Sequence, residues 1–199
     1  MMDNNVMFKI SYGLYVLTAK DGDKLNGCII NTLEQVTTTP NKVSITVNKN
    51  NFTHDMIAST GQFNVSILSE KVKFDTFKHF GFQSGKDVDK FADFPMEKSE
   101  NGLPYITKGA NGFISGKVIS QLDLGTHTMF IADVTDGKVL SNDNSVTYDY
   151  YHKNIKESPK AASKGWVCKI CGYVYEGDEL PSDFICPICK HGAADFEKL

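Results

Sequence analysis

From Phe8 to about Tyr151 the apolar residues fall in short runs rich in β-branched and aromatic side chains, broken by Gly, Asn, Asp and Pro. That pattern predicts strands over 12–19, 24–30, 43–47, 63–68, 113–121 and 128–140. Asp21-Gly22-Asp23 reads as the hairpin turn between the first two, and Asp136-Gly137 as another turn near the end of the domain. Only 53–59, stopped by Gly61, and roughly 71–80, stopped by Gly81, have helical character. Tyr148, Tyr150 and Tyr151 read as alternating aromatics at a strand end. Six or more strands, two short helices and no internal repeat predict a mainly β fold, a closed or half-closed barrel.

The pattern changes after the barrel. Residues 153–165 offer almost nothing to bury and read as a basic, mobile linker carrying Lys153, Lys156, Lys160 and Lys164. At roughly 3.3 Å per residue it spans at most about 40 Å. A tether of that reach gives an effective concentration on the order of millimolar, enough to populate weak docking. The expected organisation is a domain over 1–152, the linker, and a small module over 166–199.

The module carries the pairs Cys168/Cys171 and Cys186/Cys189, with residues 172–185 between them. Four thiolates at this spacing surround one tetrahedral metal, and either zinc or a single iron fits. Gly172 suits a tight turn at φ > 0 that turns N–H groups toward sulfur. Trp166, Tyr173, Tyr175, Phe184 and Phe196 would pack an apolar shell around the site. The pattern resembles rubredoxin, which tilts the expectation to iron and electron transfer. Lys190 stands where rubredoxins usually carry glycine, with His191-Gly192 next to supply the turn, and the loop between the pairs is shorter than in most free-standing rubredoxins. A structural zinc ribbon that only folds the tail is the alternative.

Composition narrows the class. With 199 residues, 41% of them apolar, the chain can build one substantial domain and a small one. The module is too small to fold on its own core and needs its metal. A net charge of −3 argues against a nucleic-acid surface or a polybasic membrane patch, so the expected partners are small molecules or proteins. No run approaches the roughly 18 apolar residues of a spanning helix, and the start, Met1-Met2-Asp3-Asn4-Asn5, is unlike a secretory leader. The expected location is the cytoplasm. Four of the five cysteines sit at metal spacing, so no disulfide framework is expected, and Cys28 reads as a small buried hydrophobe.

The first domain has no Rossmann fingerprint and no P-loop. Between the strand at 43–47 and the helix at 53–59, however, stand Asn48, Lys49, Asn50, Asn51, Phe52 and Thr53. Helix N-terminal amides, a lysine, a hydroxyl and side-chain amides in one place suit a phosphate. The alternative is that Asn51 or Thr53 merely caps the helix. Residues 26–40 are the second unusual stretch. A flat ring with alternating donors and acceptors, such as a flavin, can be held by the backbone of one strand at Ile30 and by short polar side chains at Asn31, Thr32 and Gln35.

Taken together, Gly27 with Asn31, Val36-Thr37 with Pro40, and the phosphate-type turn before a short helix resemble the flavin reductase-like, FMN-binding split-barrel family. Gly125-Thr126-His127 stands where that family usually has Gly-Asp-His, with Thr126 in place of the aspartate. The resemblance spans roughly residues 7–151. With the tail, the order is similar to the fused flavin reductase and rubredoxin proteins of anaerobes. It implies bound FMN, with His127 contacting flavin or nicotinamide as the catalytic residue; a half-exposed structural histidine is the alternative. Tyr151, with Tyr148 and Tyr150, would flank the flavin or face the docked module, and aromatics that merely pack are the alternative. The resemblance also implies a homodimer whose interface helps to form the flavin site, and electron delivery to a flavodiiron protein.

The expected activity is then transfer from NADH or NADPH through FMN to iron at Cys168, Cys171, Cys186 and Cys189, and on to a protein acceptor. The acidic residues Glu176, Asp178, Glu179 and Asp183 would steer a basic partner, a solvated loop being the alternative. A zinc-bound tail acting as an interaction module on a flavin reductase is a second reading, and a barrel without flavin a third. Nothing in the sequence chooses between NADH and NADPH.

Overall fold

Val16 and Leu17 are neighbours on strand β1 (Tyr15–Asp21), both fully buried, yet they enter different cores. Successive side chains of a strand point to opposite faces, so a strand covered on both sides reads as an unbroken apolar run. The computed structural model describes residues 3–156, 164–169, 172–186 and 192–199. Within them β1 lies inside a seven-stranded antiparallel sheet in the order β2-β1-β5-β8-β9-β4-β3. The members are β2 (Lys24–Ile30), β3 (Leu33–Thr38), β4 (Asn41–Asn48), β5 (Gln62–Leu68), β8 (Ala110–Asp123) and β9 (His127–Val139). One core, inside the curled sheet, gathers Leu17, Ile45, Phe63, Val65 and Phe130 with Met56 and Ile57 of helix α1 (Phe52–Thr60). The other, on the outer side of β1 and β5, gathers Val16, Leu68 and Ile106 with Phe77 and Phe80 of helix α2 (Phe74–Gly81).

The expected hairpin turn is present: Asp21 pairs with Lys24 across Gly22-Asp23, and Gly22 takes φ 57°. Asp136-Gly137 is not a turn. It lies within β9, where Asp136 pairs with Ser115 and Val134 with Gly116, leaving Thr135 as the extra residue of a bulge. α1 ends on Gly61, whose φ of 68° lets its N–H close on the Ile57 carbonyl at 2.8 Å. α2 begins at Phe74 rather than 71 and includes Gly81, with Phe82 at its C-cap.

Several elements were not expected. β3 is an edge strand exposed over most of its length, so no apolar alternation marks it. A short hairpin pairs β6 (Glu97–Lys98) with β7 (Pro104–Tyr105), tied down where Thr18 Oγ1 and Asn64 Nδ2 donate to the Pro104 carbonyl. Tyr148, Tyr150 and Tyr151 stand on a helix rather than a strand end: α3 (Tyr148–Tyr150) runs on as a π-type turn over Tyr151–Ile155. Residues 153–155, assigned to the linker above, therefore continue a helix, and Ile155 packs against the outer core.

The module is a three-stranded sheet, β10 (Trp166–Cys168) between β11 (Val174–Tyr175) and β12 (Phe196–Lys198). Most of the linker, 157–163, lies outside the described residues. Among the described residues no helix is long and apolar enough to cross a membrane.

Candidate functional site

At the end of β4 the chain turns sharply into α1. Asn48 Oδ1 accepts from the Asn50 N–H at 2.9 Å, and the Asn51 N–H closes on the Asn48 carbonyl at 2.9 Å. Asn51 is the N-cap, its side chain accepting from the Thr53 N–H at 3.1 Å. The capping alternative therefore holds for Asn51. Thr53 is fully buried, and its hydroxyl accepts from Asn26 Nδ2 at 3.0 Å.

In front of this turn opens a pocket of about 280 Å³, walled by Asn48, Asn50, Asn51 and Phe52 on one side and by residues 80–85 on the other. Cys28 and Lys90 also line it. Lys90 is 3% exposed, and its ammonium donates to the carbonyls of Gly27 at 2.8 Å and Phe80 at 3.0 Å. Burial pulls its pKa below the ordinary lysine value, and nearby Cys28 pulls it back. Burial likewise pushes the Cys28 thiol up, against Thr53, Lys90 and Asn51, which favour its charged form. His79 Nε2 meets the Lys90 carbonyl at 2.6 Å, which requires its N–H on that nitrogen and fixes the lysine backbone.

The residues present fit a phosphate-bearing cofactor. A buried cation, the start of α1 and side-chain amides converge on one cavity, with the Thr53 and His54 N–H groups already taken within the turn. Asn26 Oδ1 is buried without a partner, and a Cβ on Gly85 would lie 2.0 Å from it, so the wall here admits only a bare backbone.

Other predicted residues group around the same end of the sheet. His127 pairs in register with Asn48, and its Nδ1 lies 2.9 Å from Thr126 Oγ1. A hydroxyl can donate to Nδ1 or accept from it, so Thr126 orients the ring without choosing its tautomer. Thr32 Oγ1 donates to the Thr46 carbonyl at 2.6 Å, anchoring Asn31 and Thr32 beside the last residues of β4. Lys49 reaches away from the pocket to Asp123 at 2.6 Å. Ile30 is 8% exposed and belongs to the inner core. Gln35 is not gathered with the rest: it pairs with Val43, five positions along β4 from Asn48 or roughly 16 Å, and bonds Asn41. Tyr151 is buried in the outer core, its ring centroid 4.4 Å from that of Phe77.

Asn26, Cys28, Phe80, Gly85 and Lys90 were not singled out for this site. The break Gly81-Phe82-Gln83-Ser84-Gly85 after a helix was the available signal; the burial of Lys90 left none in the local sequence.

In the module, Cys168 and Cys186 are 1% and 0% exposed, packed with Phe196 and ringed by Trp166, Tyr173, Tyr175 and Phe184. Gly172 takes φ 79°, and its N–H closes on the Cys168 carbonyl at 2.8 Å. Thiols in a dry aromatic shell suit a soft metal ion. Cys171, Cys189, Lys190 and His191 lie outside the described residues.

Comparison with known proteins gives a family for each part of the chain. The family model described as flavin reductase like domain matches residues 7–158, and that of the rubrerythrin, rubredoxin-like domain matches 166–197. The chain is 35% identical to the high molecular weight rubredoxin of Moorella thermoacetica, covering 100% of both. It is 34% identical to a ferric-chelate reductase (NAD(P)H) of Archaeoglobus fulgidus, over 81% of this chain and 96% of that one. Among solved structures, the flavin reductase PheA2 in its native state superposes with a TM-score of 0.62 at 28% identity, over 73% of this chain and 93% of that one.

Proposed function

The chain belongs to the flavin reductase-like family and ends in a rubredoxin-like domain, and on that premise we propose that it passes electrons from NAD(P)H through FMN to a rubredoxin-type iron and on to a protein acceptor. The observation that carries the reading is the union, in one chain, of a pocket holding a buried lysine at the start of α1 and buried thiols in an aromatic shell. When bound, a flavin exchanges electrons in pairs or singly, and a tetrathiolate iron exchanges them one at a time.

The chain's part is binding and orientation. The Lys90 ammonium and the positive end of α1 would hold the flavin phosphate, while Asn48 and Asn51 lock the turn that presents that helix end to the pocket. Asn31 and Thr32, held to β4, would meet the ring system, and His127, oriented by Thr126, would contact flavin or nicotinamide. Cys168, Cys171, Cys186 and Cys189 would hold the iron, with Phe184 and Phe196 excluding water. The protein acts as a homodimer in this reading, supported by exposed Ile119 and Leu122 near the end of β8 and Leu124 just after it, apolar side chains that a second copy would cover. The acceptor is a flavodiiron protein that reduces O2 or NO, as the resemblance of the fused chain implies, and the setting is the cytoplasm.

Stopped-flow spectra of the anaerobic, reoxidised protein mixed with NADH or with NADPH test this. Flavin bleaching followed by bleaching of the ferric thiolate band is expected, and names the donor. Flavin bleaching with no thiolate-to-iron band would replace the electron chain by a zinc tail.

A further inference from the structure

A second cavity, of about 510 Å³, stands apart from the pocket at the start of α1 and shares no residue with it. On the barrel it is lined by Met7 and Lys9 of a 3-10 turn (Asn4–Lys9), by Ile10 just after, and by Tyr148 and Asp149 of α3. Lys169, from the module, lines it as well. The barrel side presents apolar side chains that nothing on the barrel covers: Met7 and Ile10 are 53% and 47% exposed. Apolar groups gathered in this way mark a surface that a partner covers.

The charges on the two sides match. The Lys169 N–H donates to the Asp195 carbonyl at 2.8 Å, so a lysine and an acid stand side by side on the module. On the barrel the cavity offers one acid and one lysine, Asp149 and Lys9. Asp149 pairs with Lys153 at 2.8 Å, but both side chains are exposed, and such a pair is loosely held and leaves the carboxylate capacity for another cation. Among the described residues neither Lys9 nor Lys169 forms an ion pair. Lys169 directly follows Cys168, whose carbonyl accepts from the Gly172 N–H in the turn at the metal site. The metal end of the module is therefore the end that carries the matching charges.

The tether starts on the same face. The helix that carries Asp149 runs on to Ile155, which packs into the outer core. From Lys156 to Lys164 the chain then spans at most about 30 Å, at roughly 3.3–3.6 Å per residue. A tether this short holds the module near the face at an effective concentration on the order of millimolar, at which weak contacts are populated.

We propose that the module docks in cis on the face formed by the N-terminal turn and α3 of its own barrel, metal end inward, with Lys169 against Asp149, Asp195 against Lys9, and Met7 and Ile10 covered. Exposed ion pairs make the dock reversible and sensitive to salt. The dock rests on the electron chain proposed above only for its use. A metal end turned to the barrel is placed for exchange within the chain, and an outside acceptor reaches it when the module leaves.

Small-angle X-ray scattering of the metal-loaded full chain tests the dock. Lys169→Glu and Asp149→Lys should each lengthen the maximum dimension by about 10 Å or more, within the reach of the linker. Salt at about 1 M, where the Debye length is about 3 Å, should do the same to the wild type. The double reversal Lys169→Glu/Asp149→Lys should restore the wild-type dimension. Single variants of wild-type dimension, or a double variant as extended as the singles, overturn the proposal. A carbodiimide, which joins a carboxylate to a lysine in contact, should link Asp149 to Lys169 in chains that run as monomers on a denaturing gel. The same link found in covalent dimers gives the face to the module of a second copy and overturns docking in cis. These readouts need no electron to pass, so a protein that docks as described but bleaches no iron loses the electron-transfer reading alone.

Discussion

The Lys90 ammonium donates to the Gly27 carbonyl at 2.8 Å, tying the loop after α2 to the back of strand β2 behind the pocket. Replacing it with methionine leaves the Gly27 and Phe80 carbonyls without their donor, at about 1–3 kcal/mol for each buried group. Lys90→Met should therefore unfold at lower urea and bind FMN about tenfold more weakly. Its pH dependence is distinctive. Because burial lowers the folded-state pKa, the unfolded chain holds a proton that the folded chain has released, between that value and the ordinary one of about 10.4. Wild-type stability relative to Lys90→Met should rise with pH through that alkaline window, and FMN affinity should fall. Denaturation curves running parallel across it would remove the buried charge from the account.

Gly85 lies so close to Asn26 that an added Cβ would meet Oδ1 at 2.0 Å and Cγ at 2.4 Å. Asn26 cannot swing aside without losing its bond to Thr53. Gly85→Ala should cost about 1–3 kcal/mol in urea denaturation and weaken FMN binding. Shortening the neighbour with Asn26→Ser in the same chain should recover part of both.

Lys49 shares its charge with Asp123 beside the phosphate turn. The bond from Lys49, followed by that from the Gly125 N–H, holds the Asp123 carboxyl below the usual carboxylate range. A depressed folded pKa means that the pair stabilises the fold above the ordinary value near 3.9, and that this contribution is lost as pH falls through the folded value. Asp123→Asn should remove that acid-side slope from thermal melts. It should also release Lys49 and tighten FMN binding up to a few-fold.

Trp166 is the only tryptophan in the chain and stands in the module, its Nε1 donating to the Asp178 carbonyl at 3.3 Å. Its fluorescence therefore reports the metal domain alone. Cys186→Ser, or metal removal by a chelator, should bleach the thiolate-to-iron band and shift Trp166 emission to the red, because a module this small folds on its metal. The far-UV circular dichroism of the barrel and its FMN content should stay unchanged.

Much of this protein was determined by local chemistry along the chain. The spacing of Cys168, Cys171, Cys186 and Cys189 predicts a four-thiolate site, because the reach between paired ligands is set within a few bonds, and Cys171 and Cys189 lie outside the described residues. β2 spans Lys24–Ile30 as expected, since its apolar run is bounded by turn residues on both sides. The turn from Asn48 to Thr53 was legible for the same reason: cap, amides and helix start are neighbours in sequence. β3 was not legible, because an edge strand exposed on both faces has no apolar period to show. Gln35 and Tyr151 matched a flavin site in type but stand elsewhere, one along the strand and the other in the outer core. Lys90 and Gly85 belong to the pocket only through packing. In the sequence Lys90 is one more charge in Lys86-Asp87-Val88-Asp89-Lys90, and it becomes a buried cation because α2 and β2 close over it from opposite sides. Residue types and short spacings were decided by the sequence, whereas the side chains that complete the pocket come from distant segments, and only the tertiary fold brings them together.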